Sequence, residues 1–320
     1  MTKNKYLSFI FIILSSFLLI ACNDDDNSDN TSSPPATTSP PSTSSPSTTT
    51  SKAPDYIISE NYQVDTTYLS PNQDARQMIL VLHYTALPLE ETLRRFMSED
   101  FAVSSHYLIP EQASNQKFTV YNLVPDDKRA WHAGVSYWQG NRNLNPSSIG
   151  IEIINLGFPE ADENLPLMQR RWYPYQSKQQ IDVLAEVIKK VVDQYKITPT
   201  RIVAHSDIAP GRKFDPGPLF PWKQLYTDHG IGAWYDDDTV NFYRQYSPWN
   251  NDIQILQTKL SSYGYDVPST GINDQETQNA VAAFQMHFYP EKYDGIADIE
   301  TVARLDALLE KYRGQQRPSL

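Results

Sequence analysis

From Asn23 to Pro54 the chain offers almost nothing to bury. The stretch consists mainly of Asp, Asn, Ser, Thr and Pro, and it includes "TSSPPATTSPPSTSSPSTTT". Such a segment cannot offset the entropy of ordering itself. It predicts an extended tether and confines any fold to the residues beyond Pro54. Those residues are numerous enough for more than one domain and a sizeable core.

The residues before the tether have their own pattern. Lys3 and Lys5 precede an apolar run from Tyr6 to Ile20, broken only by small hydroxyl residues. That is the layout of a secretory signal, and the run is short for a membrane-spanning helix. It ends in Leu19-Ile20-Ala21-Cys22, which resembles a lipobox, with Cys22 as the lipidated residue. A plain signal peptide cut nearby is the alternative. Cys22 is the only cysteine, so no internal disulfide can form. By resemblance to Gram-negative lipoproteins, Asn23 in place of an aspartate leans toward the outer membrane. The formal charge of -11 argues against a nucleic-acid binder, which needs a basic face.

The folded part is expected to begin near Tyr56. "QMILVLHYT" is a β-rich apolar run suited to a buried strand. "LEETLRRFMS" places Leu89, Leu93, Phe96 and Met97 on one helical face. "SHYLI" and "KFTVYNLV" predict short strands in a hairpin or meander, and "SIGIEIINLG" predicts another strand. The clearest helix comes after Ser177, with Gln180 placed to complete a capping box. "TRIVAH" is a short strand opening into a loop rich in Gly and Pro. This irregular alternation predicts an α/β fold, a mixed central sheet flanked by helices. After a break near Pro248, three apolar helical patterns predict a small bundle. Asn273 and Glu276 are spaced as the capping box of its middle helix.

Two of the six histidines carry weight by their position. His83 and His205 each end an apolar strand, where a lone histidine is most often a hydrogen-bonded core residue. Two of them at strand-to-loop junctions raise the case for a site. Asp215, ten residues after His205, is a turn aspartate before Pro216 or a third ligand. Two imidazoles and a carboxylate are one ordinary way to hold a catalytic Zn²⁺, although the spacing matches no short metal motif. Glu152 puts a carboxylate inside the apolar "IGIEII", so it either faces solvent or has a function. Lys213 by pattern alone is a solvated loop charge.

"HYTA", "SHYLI", "RAWHAGVSYWQG", "SIGIEIIN" and "AHSDIAPGRKFDPG" occur in this order. Together they resemble the zinc-dependent N-acetylmuramoyl-L-alanine amidases of the type 2 amidase family, related to bacteriophage T7 lysozyme and the peptidoglycan recognition proteins. The likeness runs from about Tyr56 to Trp222, and the C-terminal bundle resembles a three-helix peptidoglycan-binding domain. The implied organisation is a signal peptide over 1–21, a tether over 22–54, a catalytic domain over 55–247 and the bundle over 248–313.

The resemblance implies that His83, His205 and Asp215 hold Zn²⁺, that Glu152 is the general base and that Lys213 supports developing charge. It assigns Trp131, His132, Tyr84 and Asn155 to substrate binding, His106 to structure, and Asp207 to capping or bracing the loop. The implied reaction is hydrolysis of the amide between the lactyl group of N-acetylmuramic acid and L-alanine, with peptidoglycan and muropeptides as partners. The expected protein is a monomer, lipid-anchored to the outer membrane and facing the periplasm. Two other classes stay open. Relatives lacking a ligand bind peptidoglycan without cutting it, and a glycosidase would need a second carboxylate beside Glu152.

Overall fold

The computed structural model describes residue 68 and residues 70–319, apart from 115, 116 and 176. The expected signal peptide, Cys22 and the expected tether lie outside the described residues. Five strands form the main sheet: β1 (Ile79–Tyr84), β2 (Tyr107–Ile109), β3 (Tyr121–Asn122), β6 (Ser148–Ile153) and β7 (Ile202–Ala204). Their order is β3-β2-β6-β1-β7. β1, β2, β6 and β7 run parallel, and β3 is an antiparallel edge. β4 (Tyr137–Trp138) and β5 (Asn141–Arg142) form a separate small hairpin.

The central strands are apolar on both faces, as strands covered on both sides must be. Ile79 to Leu82 in β1 and Ile149, Ile151 and Ile153 in β6 are fully buried. Helix α2 (Lys178–Tyr195) contributes Ile181, Leu184, Ala185, Ile188 and Val191 to that core. Ser177 caps α2 as expected, its Oγ accepting from the Gln180 N–H at 3.1 Å. The Gln180 side chain does not close the capping box. It donates instead to the Ile154 carbonyl at 3.0 Å, tying α2 to the end of β6. Helix α1 (Leu89–Phe96) buries Thr92, while Met97, expected on its inner face, is 65% exposed.

One turn of helix, α3 (His205–Ile208), comes directly after β7, and α4 (Trp222–His229) and α5 (Asp237–Tyr246) lead to the bundle. The bundle is α6 (Ile253–Tyr263), α7 (Gln275–Phe288) and α8 (Ile299–Arg313). Its three N-caps are Asp252, Asp274 and Asp298. Asp274 takes the place expected of Asn273, accepting from the Thr277 N–H. The bundle shares one hydrophobic core with the sheet: Leu256, Leu260, Val281, Phe284, Val302 and Leu305 are continuous with β1, β6 and α2. Trp138 bridges the two, edge-on to Tyr263 and Tyr265 with ring centres 6.0 and 5.0 Å away.

Candidate active site

Parallel pairing brings the chemistry to one end of the sheet. His83 and Glu152 are register partners near the ends of β1 and β6. Leu82 pairs with Ala204, so His205 emerges beside His83 as β7 turns into α3. Ligand sites in open α/β sheets collect outside such carboxyl ends of strands. The loop after α3 returns Asp215 to the same point, its carbonyl accepting from the Ser206 N–H at 3.0 Å.

There three atoms converge. Nδ1 of His83 lies 2.9 Å from Nδ1 of His205. Oδ2 of Asp215 lies 2.9 Å from the first and 3.0 Å from the second. All three residues are buried. Burial, with His205 adding to it, lowers His83 to about 4, so its ring is neutral at ordinary pH. Burial alone would raise the Asp215 carboxyl, but His205 and His83 outweigh it and hold it far below the usual carboxylate range.

The donor chemistry fits a metal ion. The outer nitrogen of His205, Nε2, faces the Ala133 carbonyl at 3.2 Å. A carbonyl only accepts, so the Nε2 that faces it carries the N–H, and the lone pair of the ring is presented at Nδ1. That lone pair and the Asp215 carboxylate point at a common position, which is what a cation requires. Among the described residues, His83, His205 and Asp215 form the one group arranged to hold a metal ion.

The three residues sit in a cleft of about 730 Å³ that Tyr84, Trp131, His132, Glu152, Arg170, Arg212 and Lys213 also line. Glu152 does not project freely into solvent. Its Oε2 is closed off and meets no hydrogen-bond partner among the described residues. Burial lifts its pKa well above the ordinary carboxylate value, Asp215 acts in the same sense and Lys213 opposes them. Trp131 is 48% exposed at the rim. His132, expected to face substrate, is nearly buried, with its Nδ1 3.0 Å from Nε2 of His83.

Asn155 departs from expectation. Its amide nitrogen donates to the carbonyls of Tyr173 and Pro174, and its Oδ1 accepts from the Gly157 N–H. It braces the loop after β6 and lies outside the residues lining the cleft. His106 is structural: Nδ1 accepts from the Gly150 N–H and Nε2 faces the Lys128 carbonyl. Asp207 braces the turn that carries His205, its Oδ2 accepting from the Ala204 N–H at 2.8 Å.

Two arginines outside the expected site residues also line the cleft. Arg212 donates through Nη2 to the carbonyls of Ala133 and Val135, fixing the carbonyl that orients His205. Its place beside Lys213, in the loop between His205 and Asp215, is the one mark it has in the sequence. Arg170 lies over the rings of Phe158 and Phe214, 4.6 Å from each, and donates to the carbonyls of Leu165 and Glu163. No motif in the sequence marks it.

Fold and site together define a buried His-His-Asp centre at the carboxyl end of a mixed sheet, beside a carboxylate in a cationic cleft. The family model for N-acetylmuramoyl-L-alanine amidase matches residues 73–218, and a peptidoglycan binding domain model matches residues 250–305. The chain is 42% identical to the N-acetylmuramoyl-L-alanine amidase AmiD of Escherichia coli K12 over 259 residues, covering 79% of this chain and 90% of that protein. The solved structure of E. coli AmiD in complex with anhydro-N-acetylmuramic acid-L-Ala-D-gamma-Glu-L-Lys superposes with a TM-score of 0.72, over 80% of this chain and 97% of that one. AmpDh3 from Pseudomonas aeruginosa superposes with a TM-score of 0.67 at 41% identity, over 81% of this chain and 99% of that one. The chain belongs to the N-acetylmuramoyl-L-alanine amidase family. It is a peptidoglycan hydrolase of the cell envelope that cleaves the amide between N-acetylmuramic acid and L-alanine.

Proposed function

We propose that His83, His205 and Asp215 hold a Zn²⁺ ion and that Glu152 is the general base of the amidase. The observation that carries this reading is the convergence of the three donor atoms beside a carboxylate whose Oε2 is otherwise unanswered. When bound, the zinc supplies Lewis acidity and a water of lowered pKa. Glu152 accepts the proton of the attacking water and later carries it to the leaving amine of L-alanine. Its raised proton affinity suits both halves of that task. Lys213 stabilises the tetrahedral oxyanion electrostatically. Trp131 and Tyr84 border the substrate path.

The substrates are muropeptides, including anhydro-muramyl ones. Relatives at 41–42% identity were solved with anhydro-N-acetylmuramic acid-L-Ala-D-gamma-Glu-L-Lys and with an anhydromuramic pentapeptide. A γ-linked glutamate leaves its α-carboxylate free, and Arg95, Arg170, Arg212 and Lys213 supply cations around the cleft. We assign residues 55–247 to catalysis and 248–313 to holding peptidoglycan, with the two packed as one body. The acting form in this reading is a monomer. Lipid on Cys22 and the tether over 22–54 would hold the enzyme at the outer membrane, facing the periplasm. About thirty extended residues reach ~100 Å.

The deciding experiment is mass spectrometry of digested muropeptides by metal-free and zinc-restored protein. Free peptide with intact glycan supports the amidase chemistry, and shortened glycan overturns it. Fractionation beside Cys22→Ala tests the anchor. Wild type should float with outer membranes and the variant should not. Wild type that is soluble in the periplasm refutes the lipid.

A further inference from the structure

Resting on the zinc reading, we infer that His132 and Ser148 form a positioning relay that sets which nitrogen of His83 is free to bind the metal. The relay starts at a backbone carbonyl. The Ser148 hydroxyl donates to the Leu144 carbonyl at 2.7 Å, which uses its only proton. Nε2 of His132 lies 3.1 Å from the same Oγ, so it must donate to the remaining lone pairs. A neutral imidazole has one N–H, so Nδ1 of His132 is a bare acceptor. Nε2 of His83 lies 3.0 Å from it and therefore carries the proton. The proton of neutral His83 is thereby placed on its outer side. Nδ1 is left bare, facing His205 and Asp215.

The surroundings hold the direction. His83 is 1% exposed, Ser148 3% and His132 9%, so solvent has little access with which to reverse a bond. The backbone N–H groups of His132 and Ala133 both donate to Asn145 Oδ1, at 3.1 and 2.8 Å, which fixes the ring's attachment. The ring lies against Gly150, where an added Cβ would come within 2.5 Å of it. Running the relay backwards would take the Ser148 proton away from the Leu144 carbonyl. It would also put a proton on His83 Nδ1, where the metal must bind. His132 thus acts through His83 and has no need to touch substrate.

Two measurements test the relay on the full chain. In zinc-loaded wild type, spectra of isotope-labelled histidine should show the His132 proton on Nε2. A proton on Nδ1, or on both nitrogens, overturns the inference. Chelator competition should show Ser148→Ala binding zinc ~10-fold or more weakly, in the range that outer-shell partners of metal ligands command. His132→Gln, whose amide can accept from His83 and donate to Ser148, should retain more affinity than His132→Leu. Equal zinc affinity in wild type and Ser148→Ala would also overturn the relay. If Ser148→Ala does not fold, the proton position in wild type decides alone. Wild type that binds no zinc would refute the metal reading itself, a separate outcome from zinc bound with the wrong His132 proton.

Discussion

His287 Nδ1 lies 2.7 Å from Asp207 Oδ2, although eighty residues of chain separate them. The same carboxylate accepts from the Tyr265 hydroxyl at 2.6 Å through Oδ1. Asp207 sits two residues after His205, so two side chains of the C-terminal part hold the turn that presents a candidate ligand. His287 is itself stacked on Trp222, with ring centres 3.8 Å apart. Deleting residues 250–320 should therefore strip the shared core and cost solubility and metal binding. Far-ultraviolet circular dichroism and metal content of the truncated protein check this. His287→Ala should destabilise the chain by ~3 kcal/mol, as expected when a buried hydrogen-bonded partner of a carboxylate is removed. Urea denaturation reads that loss.

The bundle's helices were legible in sequence because Leu256, Leu260, Val281, Phe284, Val302 and Leu305 repeat at helical spacing. Its attachment was not. Periodicity shows that a helix has a buried face but not which surface covers it, and here the sheet domain does. The strands β1 and β6 were legible for the same reason, as continuous apolar runs. Glu152 stood out because it interrupts one of them. Asn155 and His132 show the opposite case. Both fall in motif blocks, yet their hydrogen bonds turn inward, and those partners depend on loops that no local pattern reports. Asn273 and Asp274 are adjacent cap formers, and only backbone geometry chooses between them.

Metal removal gives the plainest test of the centre. Dialysis against a chelator should abolish hydrolysis, and stoichiometric Zn²⁺ should restore it. His83→Ala, His205→Ala and Asp215→Ala should each lose metal occupancy as well as rate, measured by elemental analysis beside turnover.

Glu152 should control the acid side of the pH profile. A base works only when ionised, so activity falls as pH drops through its pKa. Burial and Asp215 raise that pKa, so the acid limb should lie above the ordinary carboxylate range. Lys213 acts to lower it, so Lys213→Ala should move the limb to higher pH. Glu152→Gln should keep the metal while turnover falls by ~10² or more. Rates on a soluble muropeptide across pH decide each point.

Asp162 should make one wall of the cleft sensitive to acid. Arg171 binds it through its backbone N–H, Nε and Nη2, at 2.9, 2.9 and 2.7 Å. These bonds hold the Asp162 carboxyl down to about 2. A depressed carboxylate stabilises the fold above its unfolded value, and that contribution is lost as pH falls toward about 2. Asp162→Asn should remove this pH dependence and loosen the segment that carries Arg170. The expected kinetic sign is a raised KM with kcat little changed.

Gly150→Ala should fail in a specific way. The added methyl would lie 2.5 to 2.7 Å from the His132 ring, which must shift. Overpacking of this kind costs ~1–3 kcal/mol. Zinc affinity should fall with it, read by chelator competition against the thermal melting curve.

The pairing of β1 between β6 and β7 has a consequence for the order in which the enzyme comes into being. His83 is made early, but the strands on either side of it are made later, and the residue that steadies Asp207 is later still, at position 287. A growing chain therefore carries the first candidate ligand well before the residues that complete the centre, His205 and Asp215, are made. The turn that presents His205 gains its full set of braces only once α7 has been made.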